Sequence, residues 1–235
     1  MFNFVKHIPH CAPSNRVRNP VTPSRITVRG QFPSKKMQRM IAWESQLERR
    51  ACYLFEFSSN VIAFREQPER IHIPYINKVR RYTPDFEVIK RTGEVCYYEI
   101  KPLKRLHDQK DYFNCIHHIL QERGISFFVL TEKELLHPIR EQNLILLRQY
   151  QSMALSSVHL QQIIDLYTES ESLHLPLEYL KNKGFNITTI YSYLANNSLI
   201  CNLEQEINEH TSITLNTAGE LNEAELFQHR SAPYF

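Results

Sequence analysis

The sequence predicts an α/β protein: a mixed central sheet flanked by helices, then a small, mainly helical C-terminal unit that ends in short strands. Three observations carry that reading. Residues Arg80 to Pro102, RRYTPDFEVIKRTGEVCYYEIKP, hold two runs of strand-forming residues around Arg91-Thr92-Gly93, the pattern of a hairpin. Residues 125–131, ISFFVLT, form the continuous apolar run of a strand buried on both faces. From about residue 151 the pattern changes to three short helical segments, and the charge changes with it. Residues 1–150 hold 25 Lys/Arg against 15 Asp/Glu, a balance of +10, whereas residues 151–235 hold 3 against 10, a balance of −7. The first part suits a polyanion and the second does not.

Taken in order, Met1 to Trp43 contains eight basic residues and no acidic one, interspersed with proline. Such a segment buries little, and residues 1–40 are read as a basic arm lying along DNA, with Arg16, Arg18, Arg25, Arg29, Lys35, Lys36 and Arg39 against phosphates. A solvated tail is the alternative. MIAWESQLERRACYLFEF then shows helical spacing, with Trp43, Leu47, Ala51 and Leu54 on one face and Ile41 and Phe55 widening it. Glu48 shares that apolar face, and Glu44 lies one turn earlier, nearer its edge. Short strands follow at 61–64 and 70–76, then the hairpin. A helix is predicted over His107–Arg123, with Tyr112, Ile116, Ile119 and Leu120 on one face and Gly124 as its stop. Thr131 and Glu134 form a capping box for another helix. These elements make one unit, 41–150.

In 151–235 the segments SSVHLQQIIDLYTES, LPLEYLKNKG and NITTIYSYLANNS read as helices, the last capped by Asn186, and LICNL and SITL as short strands. Three helices with a terminal hairpin resemble a winged helix. The third helix contains no Lys or Arg, so a protein-binding role fits it better than DNA reading.

Composition narrows the function further. No apolar run approaches the roughly 18–20 residues of a membrane span, and the first twenty residues lack a signal-peptide core. The five cysteines are scattered, without a CxxC pair, which suits reduced thiols in a cytoplasm. HIPHC at 7–11 has no second Cys/His pair to complete a zinc site, and no Gly-rich phosphate loop is present.

The hairpin poses the chemical question. A three-residue loop at 91–93 sets Lys90 opposite Glu94 and, counting back, Asp85 opposite Glu99. Opposed residues have Cβ atoms roughly 4.5–5.5 Å apart, so two like charges there cost stability. Lys101, two residues past Glu99, points the same way. A hard divalent cation such as Mg²⁺ turns that repulsion into a binding site, with Asp85 and Glu99 as ligands and the Ile100 carbonyl as a further oxygen. Glu48 binds a second ion or orients a metal-bound water, and Lys101 either stabilises developing charge or helps deprotonate the attacking water. The chemistry that needs such a set is hydrolysis of a phosphodiester.

Pro84-Asp85 followed by Glu99-Ile100-Lys101 resembles the PD-(D/E)xK signature of restriction-endonuclease-like nucleases, with Glu48 as the acidic residue of the preceding helix. SQLERRACYLFEFSSNVIAFREQP at 45–68, with its spacing to YTPDF and EIKP, is similar to the TnsA endonucleases of Tn-seven-like transposons, including CRISPR-associated ones. That resemblance implies catalytic positions at Glu48, Asp85 and Lys101, a metal-ligand position at Glu99 where some members carry Gln, and Gln67 near the site. It also implies a bacterial cytoplasmic enzyme that uses Mg²⁺, tolerates Mn²⁺, and cuts the non-transferred strand of double-stranded DNA at transposon 5′ ends. Its partners are then the DDE-type transposase TnsB and the AAA+ regulator TnsC, the latter bound by the C-terminal unit. Two other readings share these residues: a stand-alone restriction or junction-resolving nuclease, and a catalytically silent DNA-binding assembly subunit.

Overall fold

The computed structural model describes residues 28–216. It begins with an antiparallel hairpin, β1 (Gly30–Ser34) and β2 (Arg39–Trp43), which pairs Gly30 with Trp43 and Ser34 with Arg39. The sequence reading placed Ile41 and Trp43 in a helix and residues up to 40 in an arm; both are corrected here. Ile41 and Trp43 lie two apart, so they share a strand face, and the helix α1 (Gln46–Phe57) starts only after Ser45, whose Oγ caps it. The spacing of Trp43 and Leu47 fits a helix by coincidence, and the pairing with β1 decides against it.

Two buried carboxylates bind this hairpin to the body. Glu56, near the end of α1 and 2% exposed, accepts from the Ser34 hydroxyl and from the backbone N–H groups of Lys35 (3.0 Å) and Lys36 (2.9 Å). Glu66 takes a bidentate bond from Arg39 at 2.7 and 3.1 Å and another from the Ala42 N–H at 3.1 Å. Removing either carboxylate leaves several buried donors unmatched.

The central sheet has four strands in the order β3-β6-β7-β8: β3 (Val61–Glu66), β6 (Phe86–Lys90), β7 (Val95–Ile100) and β8 (Ser126–Leu130). β3, β6 and β7 are antiparallel neighbours, whereas β8 runs parallel to β7 and returns through α2 (Leu103–Leu106), a 3₁₀ turn at 107–109 and α3 (Lys110–Glu122). α3 therefore starts later than the predicted His107. Gly124, at φ +71°, ends that stretch as the sequence foretold. β4 (Ile71–Tyr75) and β5 (Lys78–Tyr82) form a separate two-stranded ribbon, and β5 was not foreseen.

Alternation along the strands gives the sheet two covered faces. On one, Phe55 of α1 meets Phe64, Phe86 and Tyr98 at ring distances of 5.6, 5.4 and 5.2 Å. On the other, Tyr97, Phe127 and Val129 pack with Phe113, Ile116 and Leu120 of α3 and with Ile71, Ile73 and Tyr82 of the ribbon. α4 (Glu132–Leu135) carries the predicted Thr131/Glu134 capping box, and α5 (Pro138–Arg148) follows it.

Beyond residue 150 come α6 (Ser157–Ser170), β9 (Leu175–Pro176), α7 (Leu177–Asn182), α8 (Ile187–Ala195), β10 (Leu199–Ile200) and β11 (Ser212–Leu215), with β11 between β9 and β10. Asn186 caps α8 as anticipated. Ile163, Leu180, Ile190, Tyr193 and Ile213 belong to the same hydrophobic cluster as Phe55 and Phe86, so the change of character near 151 is not a break in packing. Cys52, Cys96, Cys115 and Cys201 are free thiols, and no helix among the described residues is long and apolar enough to cross a membrane.

Candidate active site

The β6–β7 ladder pairs Phe86 with Tyr98 and Ile89 with Val95, the register read from the sequence. One step beyond it, where the chain turns from Pro84 into β6, the Asp85 Oδ2 accepts the Ile100 N–H at 2.7 Å. Asp85 is thereby fixed across from the C-terminal end of β7. Glu99, 3% exposed, receives the Tyr82 hydroxyl on Oε2 at 2.8 Å and the Lys101 ammonium on Oε1 at 2.6 Å. The antiparallel register and the period of two thus bring Asp85, Glu99 and Lys101 together.

Glu48 arrives from the first turn of α1. It ties the chain entering the helix to its first turn: its N–H donates to the capping Ser45 Oγ at 3.1 Å, while its carboxylate accepts from the Ser45 hydroxyl at 2.9 Å and the Glu44 N–H at 2.7 Å. The sequence reading saw Glu48 on the packed side but missed this role, although Ser45-x-x-Glu48 is a legible signal. The helix N-terminus favours a negative charge at that place.

Electrostatics bind the set together. Burial, then the charges of Glu99 and Glu48, hold the Asp85 carboxyl well above the usual carboxylate range, against the opposing pull of Lys101 and the Ile100 N–H. Burial also raises Glu48, with Glu44 and Glu99 adding to it against the two capping hydrogen bonds. Burial disfavours the Lys101 ammonium, yet Glu99, Asp85 and Glu48 together lift its pKa above that of an ordinary lysine. Burial and the charges of Glu99 and Asp85 keep the Tyr82 phenol protonated, so it donates to Glu99.

This donor set suits a hard cation: carboxylate oxygens whose own crowding pushes a proton onto Asp85 are relieved by a divalent charge. Among the described residues no three Asp, Glu, His or Cys side chains already converge as a ready cluster. Both oxygens of Glu48 and both of Glu99 accept from protein donors. Asp85, Glu99 and the Ile100 carbonyl are the oxygens at the strand ends that could hold a cation.

Not every residue called from the sequence joins this site. Arg16, Arg18 and Arg25 lie outside the described residues. Lys36 caps α1 instead, with Nζ on the carbonyls of Phe55 (2.7 Å) and Ser58 (2.6 Å). Lys35 bonds the Gln151 carbonyl and Asn196, and Arg39 pairs with Glu66, so these three cations hold the β1–β2 hairpin to the body of the fold. Arg29 stands half-buried just before β1. Tyr82 was missed: its reach to Glu99 depends on the ribbon's docking, which no local pattern announces. Gln67 does adjoin the site, its N–H donating to the Asp85 carbonyl at 2.9 Å and its own buried Oε1 lacking a hydrogen-bond partner.

Residues 58–132 match the family model described as TnsA-like endonuclease N terminal. Over that segment, about a third of the chain, the protein is similar to the TnsA-like endonucleases. The matched segment contains Asp85, Glu99 and Lys101, whereas Glu48 lies ahead of it on α1. No curated protein matches the chain.

Proposed function

We propose that this TnsA-like chain is the Mg²⁺-dependent DNA endonuclease subunit of a heteromeric transposase, cutting the non-transferred strand at transposon 5′ ends. The observation that carries the reading is the meeting of Asp85, Glu99 and Lys101 at the end of β7, within the matched endonuclease segment. A site of this kind has no stabilising purpose: it buries two carboxylates side by side and pushes one toward protonation.

Asp85, Glu99 and the Ile100 carbonyl would hold the ion, with Glu48 contributed from α1. When bound, Mg²⁺ (or Mn²⁺ in its place) polarises the phosphate and acidifies a water. The chain's own part is positioning. The Ile100 N–H orients Asp85, and Tyr82 fixes one oxygen of Glu99, leaving the other to Lys101. Lys101 keeps its charge beside the scissile phosphate and stabilises the negative charge that develops there. The C-terminal elements follow the order of a winged helix, helix then short strand, two helices and two strands, and we assign them to partner contacts. α8 has no Lys or Arg and the region is acidic, which supports a protein partner such as the AAA+ regulator TnsC over DNA. The DDE-type transposase TnsB then cuts and joins the 3′ ends.

The test is strand-resolved cleavage of a transposon-end duplex by the wild type and Asp85→Ala, with Mg²⁺, with and without the partner transposase. Cutting of the 5′ strand only with the partner present, and lost in Asp85→Ala, is the expected result. Efficient cutting alone indicates a stand-alone nuclease, and DNA binding without cutting under either condition indicates a silent assembly subunit.

A further inference from the structure

The β4–β5 ribbon stands apart from the central sheet, and its composition is one-sided. Residues 70–82, RIHIPYINKVRRY, hold Arg70, Lys78, Arg80 and Arg81 and no Asp or Glu. Its inner face carries Ile71, Ile73 and Tyr82, buried against Leu106, Phe113 and Phe127. Arg80, on that same side, lies over the rings of Tyr75 at 4.9 Å and Tyr112 at 5.5 Å. The other face, His72 and Pro74 opposite Arg81 and Val79, is exposed. No part of the described fold covers it.

The tip departs from what stability alone selects. Ile76 and Asn77 both sit at positive φ, +46° and +54°, as a two-residue turn joining right-twisted strands requires. Asparagine tolerates that conformation, but a β-branched isoleucine does so at a cost. Ile76 is nevertheless 70% exposed, and Val79 beside it 66%. The base is fixed in the opposite sense, since Tyr82 at the end of β5 bonds Glu99. A rigid ribbon thus runs from the candidate active site to a strained, apolar, cation-flanked tip.

We propose that this ribbon inserts into a groove of duplex DNA and sets where along the duplex the site acts. The inference deepens the nuclease reading and takes its reference point, the cut, from it. A two-stranded ribbon fits the major groove, and four cations without a carboxylate complement phosphate on both sides of it. Six residues separate Tyr82 from Ile76, about 20 Å at roughly 3.3 Å per residue. With the ribbon laid along the duplex axis, its tip meets the duplex about six base pairs from the phosphate at Asp85, at about 3.4 Å per pair. Lys78 and Arg81 contact backbone and Ile76 lies against base edges.

The experiment measures affinity of the full chain for a 30-base-pair duplex across a range of NaCl, in EDTA so that nothing is cut. Lys78→Ala with Arg81→Ala is expected to lower the slope of log affinity against log salt by about 1.8, two phosphate contacts' worth. Ile76→Asn suits the left-handed turn, so it is expected to hold or raise Tm while weakening binding several-fold. An iron chelate tethered at Ile76→Cys maps the tip, with strand scission expected about six base pairs from the cut. An unchanged slope, or scission scattered along the duplex, overturns the proposal, and an unchanged slope with lost self-association assigns the ribbon to a second copy of the chain. Because binding is read without cleavage, failure here is separate from failure of the nuclease reading, which is DNA binding without cutting by the wild type under either condition and leaves the ribbon's contact with DNA standing.

Discussion

At Asp85, burial and the charges of Glu99 and Glu48 raise the folded-state pKa above the unfolded one. The folded chain therefore holds this proton more tightly, and the stability so gained is full below the ordinary carboxylate range and lost as pH rises through the raised value. Asp85→Asn keeps an oxygen for the Ile100 N–H and removes the charge. It is expected to stabilise the fold at neutral pH by about 1 kcal/mol, read from Tm, while abolishing cleavage. A variant that loses both stability and cleavage would show Asp85 to be structural. Because protons compete with the ion, the Mg²⁺ concentration needed for half-maximal cleavage is expected to rise as pH falls, and a requirement independent of pH would contradict a shared site at Asp85. Tyr82→Phe deletes the 2.8 Å bond to Glu99 and leaves the ring packing in place. The Mg²⁺ concentration needed for half-maximal cleavage is expected to rise about tenfold with Tm little changed.

Among the elements, those that obey a local rule were legible in the sequence. The β6–β7 register followed from the Arg91-Thr92-Gly93 loop, α4 from its capping box and β8 from its unbroken apolar run. Those fixed by distant partners were not. β2 is a strand because β1 lies beside it, and the sequence around Trp43 fits either period. β5 was hidden because all but its last residue are exposed, so it lacks the alternation that betrays a strand. The same distinction applies to the site: Asp85, Glu99 and Lys101 follow from pleat and register, whereas Tyr82 and the bonds of Glu48 to Ser45 depend on docking and on one short motif. The β1–β2 hairpin offers its own test. Gly30 lies opposite Trp43, and a Cβ there would come within 2.3 Å of the indole. Gly30→Ala is therefore expected to destabilise the protein by about 1–3 kcal/mol in denaturant melts, and an unchanged midpoint would show that the indole moves freely.

Across the whole molecule, one hydrophobic cluster joins the sheet to the helices beyond residue 150. Polar bonds reinforce the join: Asn143 donates to the carbonyls of Leu203 and Gln205 at 2.9 and 2.7 Å, and Arg140 pairs with Glu204 at 3.2 Å. Unfolding is accordingly expected as a single transition seen alike by near-UV and far-UV signals, and truncation after residue 150 should leave an aggregating fragment. Two separated transitions would mean that the shared core contributes little. The sequence showed the change in charge at this boundary but not the continuity beneath it, since composition does not record which apolar faces meet.

The helix α1 touches both ends of this arrangement. Glu48 lies in its first turn, and at its last residue the Phe57 carbonyl accepts from the Asn197 side chain at 3.0 Å, just past α8. Twelve residues of helix make a strut about 18 Å long. On the function proposed, a protein that grips the acidic C-terminal face and shifts α8 would push on one end of that strut, while the other end carries Glu48 of the candidate site. Recruitment and licence to cut would then be one mechanical event, transmitted through a single rod.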